Sequence, residues 1–271
     1  AYEIVSRDWS SDVCSSDLYP ISIAWPDKND AIDWVQCRRE FRKELDLPDL
    51  HILALGVDRL DYTKGIVERF QALDRLLEMH PEFIGKFSLL QISAPSRSSL
   101  DEYQNLEVRV RQLAMDINRR YQNSIAPVIL LYVHYYDEEY LTRCYQSSDV
   151  CLVTSLHDGM NLVAKEFIAA RDDELGVLIL SQFTGASREL HEALMINPYH
   201  IEQGAEALYR AITMPNIEQR ERMRSMRQRV REFNIYRWAG LMLLDAARLR
   251  RRARINEKIY LHSHQGLRSK Q

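Results

Sequence analysis

Glycine and proline are scarce in this chain of 271 residues, at nine and eight. No two glycines are separated by a single residue, so the Gly-x-Gly turn of a dinucleotide site is missing. A Gly-Lys-Ser/Thr phosphate loop is missing as well. The same low counts exclude collagen-like and linker character. Cysteine is sparse too. Cys14, Cys37, Cys144 and Cys151 form no Cys-x-x-Cys pair and no disulfide-framework spacing, which points to a reducing, cytoplasmic setting. No apolar run approaches the ~20 residues needed to cross a bilayer, so no membrane partner is expected. Neither charge sign dominates: 36 Lys and Arg stand against 39 Asp and Glu, for a net charge of -3. A bulk nucleic-acid binder would be strongly basic, so that class is set aside. What remains is 46% hydrophobic, enough for a full globular core.

Residues 1–18 differ in texture from the rest. They hold five serines and four acidic residues, with no helical or strand period. They lack the basic-then-apolar order of a secretory signal. The string resembles translated sequencing-adapter sequence, and it is excluded from fold reasoning together with Trp9 and Cys14. On that reading the natural protein continues further upstream.

From Tyr19 onward short apolar runs alternate with amphipathic stretches. Helices are expected over 30–44, 65–79, 99–121, 138–146 and 161–171, with a short one over 187–192 and three more between 201 and 258. Strands are expected over 51–57, 87–93, 128–133, 150–154, 177–181 and 194–197. Parallel strands need crossover helices, so this is a doubly wound α/β domain with a parallel sheet covered on both faces. Ligands of such sheets bind beyond the carboxyl ends of the strands.

The loops at that edge carry groups suited to a diphosphate. After the first strand, Arg59 and Lys64 lie five residues apart around a turn. Arg offers bidentate hydrogen bonds and Lys a point charge. The alternative is a surface loop in which both pair with Asp58 and Asp61. After the fourth strand, Asn161 is a candidate N-cap, leaving the amides of Leu162 and Val163 at a helix start, where anions bind. Glu166 sits one turn in, where a carboxylate can grip two ribose hydroxyls, and Asp158 is placed for hexose hydroxyls. Arg97 follows the second strand. Tyr136 follows the third, either beside a base or as a packed strand-end aromatic. Ser181 to Gly185 is small and polar, suited to close backbone approach.

RLDYTKG at 59–65, DGMNLVAKE at 158–166, GVLILSQFTGA at 176–186 and INPY at 196–199 resemble the trehalose-6-phosphate synthase family, glycosyltransferase family 20. The likeness runs from about Tyr19 to Tyr260. DGMNLVAKE is shared with the related glucosylglycerol-phosphate synthases, which stand as the nearer alternative. The resemblance implies a Rossmann-like parallel sheet, the C-terminal half of a GT-B glycosyltransferase, plus a helical C-terminal extension. It implies a retaining transfer of glucose from UDP-glucose to glucose 6-phosphate, with no metal or other cofactor. It assigns the diphosphate to Arg59 and Lys64, the donor glucose to Asp158, and donor binding to the run Leu162, Val163, Ala164, Lys165 and Glu166. Asp158, Arg59 and Lys64 are the catalytic set, Tyr136 flanks the uracil, and Arg97 reaches the acceptor phosphate. His157 stands where the family often has Arg before the Asp, which bears on donor or acceptor preference.

On this reading the chain divides into 1–18 set aside, 19–48 an inter-domain segment and helix, 49–215 the nucleotide-sugar domain, 216–260 C-terminal helices and 261–271 a polar tail. The family's N-terminal domain is missing before Tyr19, so weak binding of UDP-glucose and little turnover are expected, with room for a homo-oligomer. A non-catalytic scaffold using the basic stretch 248–254 is the rival of another class. His51, His80, His134 and His191 are expected to be structural or exposed, and Cys144 and Cys151 buried thiols.

Overall fold

The computed structural model describes residues 19–26, 33–95, 101–122 and 126–268, for 101 and 257–268 the backbone alone. The first helix, α1 (Trp34–Glu44), starts where Asp33 accepts hydrogen bonds from the amides of Val35 and Gln36 at 3.1 Å each. The part of the expected helix over 30–32 lies outside the described residues. Six strands then alternate with helices: β1 (Ile52–Arg59), α2 (Ile66–Met79), β2 (Phe87–Ala94), α3 (Asp101–Arg120), β3 (Ile129–Val133), α4 (Glu138–Ser147), β4 (Val150–Val153), α5 (Leu162–Ala170), β5 (Val177–Ser181) and β6 (Leu194–Ile196). Three helices close the chain: α6 (Ile201–Thr213), α7 (Asn216–Glu232) and α8 (Ile235–Arg268).

All five strand pairings are parallel, in the order β3-β2-β1-β4-β5-β6. Strands buried on both faces cannot alternate polar and apolar residues, which is why β4 and β5 read as unbroken Val-Cys-Leu-Val and Val-Leu-Ile-Leu runs. One face is covered by α2, α3 and α6, through Phe70, Leu73, Val110, Ile117 and Leu208. The other is covered by α1, α4, α5 and α7, through Phe41, Cys144, Phe167 and Met223. The chain reverses direction across the sheet between β1 and β4, which pair over only two residues. Crossovers leaving in opposite directions open a crevice at that point, beyond the carboxyl ends of the two strands.

The sheet, its helices and the helical C-terminal extension agree with the fold read from the sequence. One element sits elsewhere. The short helix expected over 187–192 is a 3-10 turn at Gly185–Arg188. The amide of Gly185 bonds Asp158 and that of Ala186 bonds Met160, at 3.1 and 2.9 Å, so the backbone is anchored earlier than its polarity suggests. The first two residues of the helix expected over 99–121 lie outside the described residues. Among the described residues no helix is long and apolar enough to cross a membrane.

Candidate functional site

The loop after β1 is shaped by two local devices. Asp61 accepts from the amide and hydroxyl of Thr63 at 2.9 Å, winding Tyr62–Lys64 into a 3-10 turn. Gly65 then takes a left-handed conformation, φ 63°, that a side chain disfavours. A Cβ there would also lie inside 3.0 Å of the Thr154 carbonyl, so the loop packs directly on the end of β4. A bond from the Leu156 amide to the Thr63 carbonyl at 2.7 Å joins the two loops.

The loop after β4 is held from the other side. The Asp158 amide bonds the Phe183 carbonyl, and the Gly185 amide bonds the Asp158 carbonyl, both at 3.1 Å. Asn161 caps α5 as expected: Oδ1 takes the Ala164 amide at 3.2 Å, while Nδ2 donates to Asp158 at 3.1 Å. The amides of Leu162 and Val163, in the first turn, have no helical carbonyl to meet. Across the crevice Lys64 Nζ donates to Asp158 Oδ2 at 2.6 Å. Burial pushes the Asp158 carboxyl up, but the Lys64 and Asn161 hydrogen bonds outweigh it and hold the group below its ordinary value.

These loops open onto a cavity of about 730 Å³. Arg59, Lys64, Asp158, Leu162 and Val163 line it towards the switch point, and Tyr136 and Glu166 also line it. The Tyr136 ring stacks on Tyr140 with centroids 4.4 Å apart, and His134 meets it edge-on at 5.5 Å. Glu166 accepts a hydrogen bond from Tyr145 at 2.8 Å. Burial pushes its carboxyl above the ordinary value, against the pull of that bond. Cations and helix amides thus share one cavity with a carboxylate and an aromatic face.

Beneath the β1 rim lies a buried charge that sequence spacing did not reveal. Arg69, on α2 and 1% exposed, reaches over Gly56 and donates to Asp58 and Gln91 at 2.6 Å each and to Thr154 Oγ1 at 3.0 Å. It joins the end of β1 and the middle of β2 to the start of the loop after β4. Burial pushes the Asp58 carboxyl up, opposed by the Arg69 and Lys64 charges.

Most of the expected site residues therefore converge. Arg59, Lys64, Tyr136, Asp158, Leu162, Val163 and Glu166 line one cavity. The alternative pairing does not form: Asp58 is held by Arg69, Lys64 by Asp158, and Asp61 caps its own turn. Tyr136 is both a packed aromatic and a cavity wall. Ala164 and Lys165 do not line the cavity. Ala164 is core, and Lys165 turns to the Ile21 carbonyl and Glu189 at 2.9 and 3.0 Å, where burial pushes its ammonium down. Arg97 lies outside the described residues. His51 is buried against Ser88 at 2.8 Å, whereas His134 lines the cavity. Tyr145 is among the walls that spacing missed; its only sequence signal is an aromatic late in an amphipathic helix.

Known proteins resemble this chain in sequence and in fold. The chain is 38% identical over 198 residues to an alpha,alpha-trehalose-phosphate synthase (UDP-forming) of Pichia angusta, covering 73% of this chain and 42% of that protein. Among solved structures, an alpha,alpha-trehalose-phosphate synthase (UDP-forming) of Burkholderia xenovorans in complex with glucose-6-phosphate matches at TM-score 0.76 and 38% identity, over 84% of this chain and 50% of that one. An E. coli structure bound with UDP-2-fluoro glucose matches at TM-score 0.75 and 35% identity, over 84% and 50%. The chain thus spans about half or less of the length of these relatives. The family model described as glycosyltransferase family 20 matches residues 10–248, and on that extent of match the chain belongs to glycosyltransferase family 20.

Proposed function

We propose that this chain binds the donor in a retaining glucosyltransferase that makes trehalose 6-phosphate from UDP-glucose and glucose 6-phosphate. The observation that carries the reading is the convergence of Arg59, Lys64 and the first turn of α5 on one cavity at the switch point. The relatives named above supply the substrates: two are UDP-forming by name, one of these holding glucose-6-phosphate, and the third holds a fluorinated UDP-glucose.

In this reading the diphosphate lies against Arg59, Lys64 and the amides of Leu162 and Val163. The ribose meets Glu166, the uracil the Tyr136 side, and the hexose Asp158. During transfer the bond from the sugar C1 to the β-phosphate oxygen breaks and its electron pair stays on that oxygen. The acceptor hydroxyl forms the new bond to C1 and its proton is released. Negative charge therefore grows on the leaving diphosphate. Fixed cations and amides stabilise that state more than the intact donor, and this preference is what accelerates a reaction. The positive charge at the leaving group comes from side chains and a helix terminus, so the proposal includes metal independence. Among the described residues Cys37, Cys144 and Cys151 are free thiols, in keeping with the reducing compartment that this reading includes.

Calorimetric titration with UDP tests the reading. Saturable binding that Arg59→Ala weakens by about tenfold or more, the scale of one charge-assisted hydrogen bond, is expected. Binding unchanged in Arg59→Ala, or retention on DNA rather than on a UDP matrix, would overturn it.

A further inference from the structure

Tyr145 lies near the end of α4 with only 4% of its surface exposed, packed in the core cluster that also holds Phe167 and Ile168 of α5. Its hydroxyl leaves that core and donates to Oε2 of Glu166 at 2.8 Å, and both residues line the cavity. A carboxylate offers about four lone-pair positions, and the tyrosine occupies one of them. A terminal carboxylate is otherwise loosely held about its last torsion, which has a broad, two-fold profile. The bond from a fixed, buried ring removes that freedom.

We propose that Tyr145 is a positioning residue for Glu166, fixing its carboxylate to take the vicinal hydroxyls of a ribonucleotide and so setting preference for ribose over 2′-deoxyribose. The inference rests on the reading that Glu166 meets the ribose of a nucleoside diphosphate. Two vicinal hydroxyls are two donors at a fixed separation, so a carboxylate meets both only in one orientation. They also need an acceptor-only partner, and donation from Tyr145 favours the ionised carboxylate that burial opposes. Tyr145 itself touches no ligand in this scheme; it acts through Glu166.

Titration calorimetry with UDP and with 2′-deoxy-UDP, on the full chain, Tyr145→Phe, Glu166→Gln and the double variant, tests this. Tyr145→Phe keeps the ring and its packing, which a thermal midpoint close to the parent's confirms. The parent is expected to prefer UDP. Tyr145→Phe should lose about three- to tenfold in UDP affinity, the scale of one hydrogen bond, while its 2′-deoxy-UDP affinity stays within about twofold. The double variant should match Glu166→Gln alone, since the tyrosine works only through that carboxylate. Equal losses for both nucleotides, or no loss for either, would overturn the positioning role. Either outcome would leave the ribose reading standing if Glu166→Gln still abolishes the preference. If Glu166→Gln leaves the preference intact, the ribose reading fails and the inference falls with it.

Discussion

Lys64 and Asp158 come from loops 94 residues apart in sequence, yet their charged atoms lie 2.6 Å apart across the crevice between β1 and β4. Both groups are mostly shielded, with side-chain exposures of 14% and 16%. On the proposed function, the cation that meets phosphate is thus already positioned by the carboxylate that meets the sugar. Lys64→Met should weaken UDP binding by about tenfold or more, the scale of a charge-assisted contact. Asp158→Asn keeps the shape and should hold UDP affinity within about threefold while lowering UDP-glucose affinity further, because only the latter presents hexose hydroxyls. Parallel titrations with the two ligands check this; equal losses for both in Asp158→Asn would remove the hexose role.

The Asp58–Arg69 pair sits deeper, with side chains 2% and 0% exposed. Breaking one partner of such a pair strands the other without water. Arg69→Met should lower unfolding free energy by about 3–5 kcal/mol, and pairing it with Asp58→Leu should recover much of that loss. Urea unfolding of the two single variants and the double variant measures it. A change under about 1 kcal/mol for Arg69→Met would show that the pair anchors nothing.

The strands and the loops that follow them were legible because burial on both faces writes itself as short apolar runs. The Asn161 cap was legible because capping is local. Pairings that depend on the third dimension were not. Arg69 is eleven residues from Asp58 and lies on the far side of a turn, and nothing in a helical period says that its guanidinium crosses Gly56. Tyr145 meets Glu166 only because α4 and α5 pack together. Lys165 is a further case. It lies in the run 158–166 that the family resemblance assigned to the donor, but its ammonium turns to Glu189 and not to the cavity lined by Leu162 and Glu166.

The raised carboxyl of Glu166 makes a signed pH prediction. Because its folded value lies above the ordinary 4.5, its contribution to stability is full below that pH and is lost as pH rises through the folded value. UDP-glucose affinity should change in the opposite sense, strengthening over the same rise as the carboxylate forms. The diester phosphates of UDP-glucose do not titrate there, so the trend belongs to the protein. Glu166→Gln should flatten both curves. Chemical denaturation and titration across about pH 4.5–7, the span between ordinary carboxylate and histidine values, provide the check. A slope that persists in Glu166→Gln would assign the titration elsewhere.

Gly185 tests whether the loop after β5 positions the motif at 158–166. A Cβ on Gly185 would fall inside 3.0 Å of the Gly159 carbonyl, an atom of backbone that cannot swing aside as a side chain does. The same residue donates its amide to the Asp158 carbonyl, so any shift that relieves the clash also moves Asp158. Gly185→Ala is therefore expected to destabilise the fold by about 1–3 kcal/mol, the range for overpacking a tight contact. It should weaken UDP-glucose binding by more than it weakens UDP binding, because the displaced group is Asp158 and not Arg59. Thermal unfolding with paired titrations separates the two effects. Lost stability with an unchanged ratio of the two affinities would make the glycine a packing requirement and leave the position of Asp158 to its other partners, Lys64 and Asn161 among them.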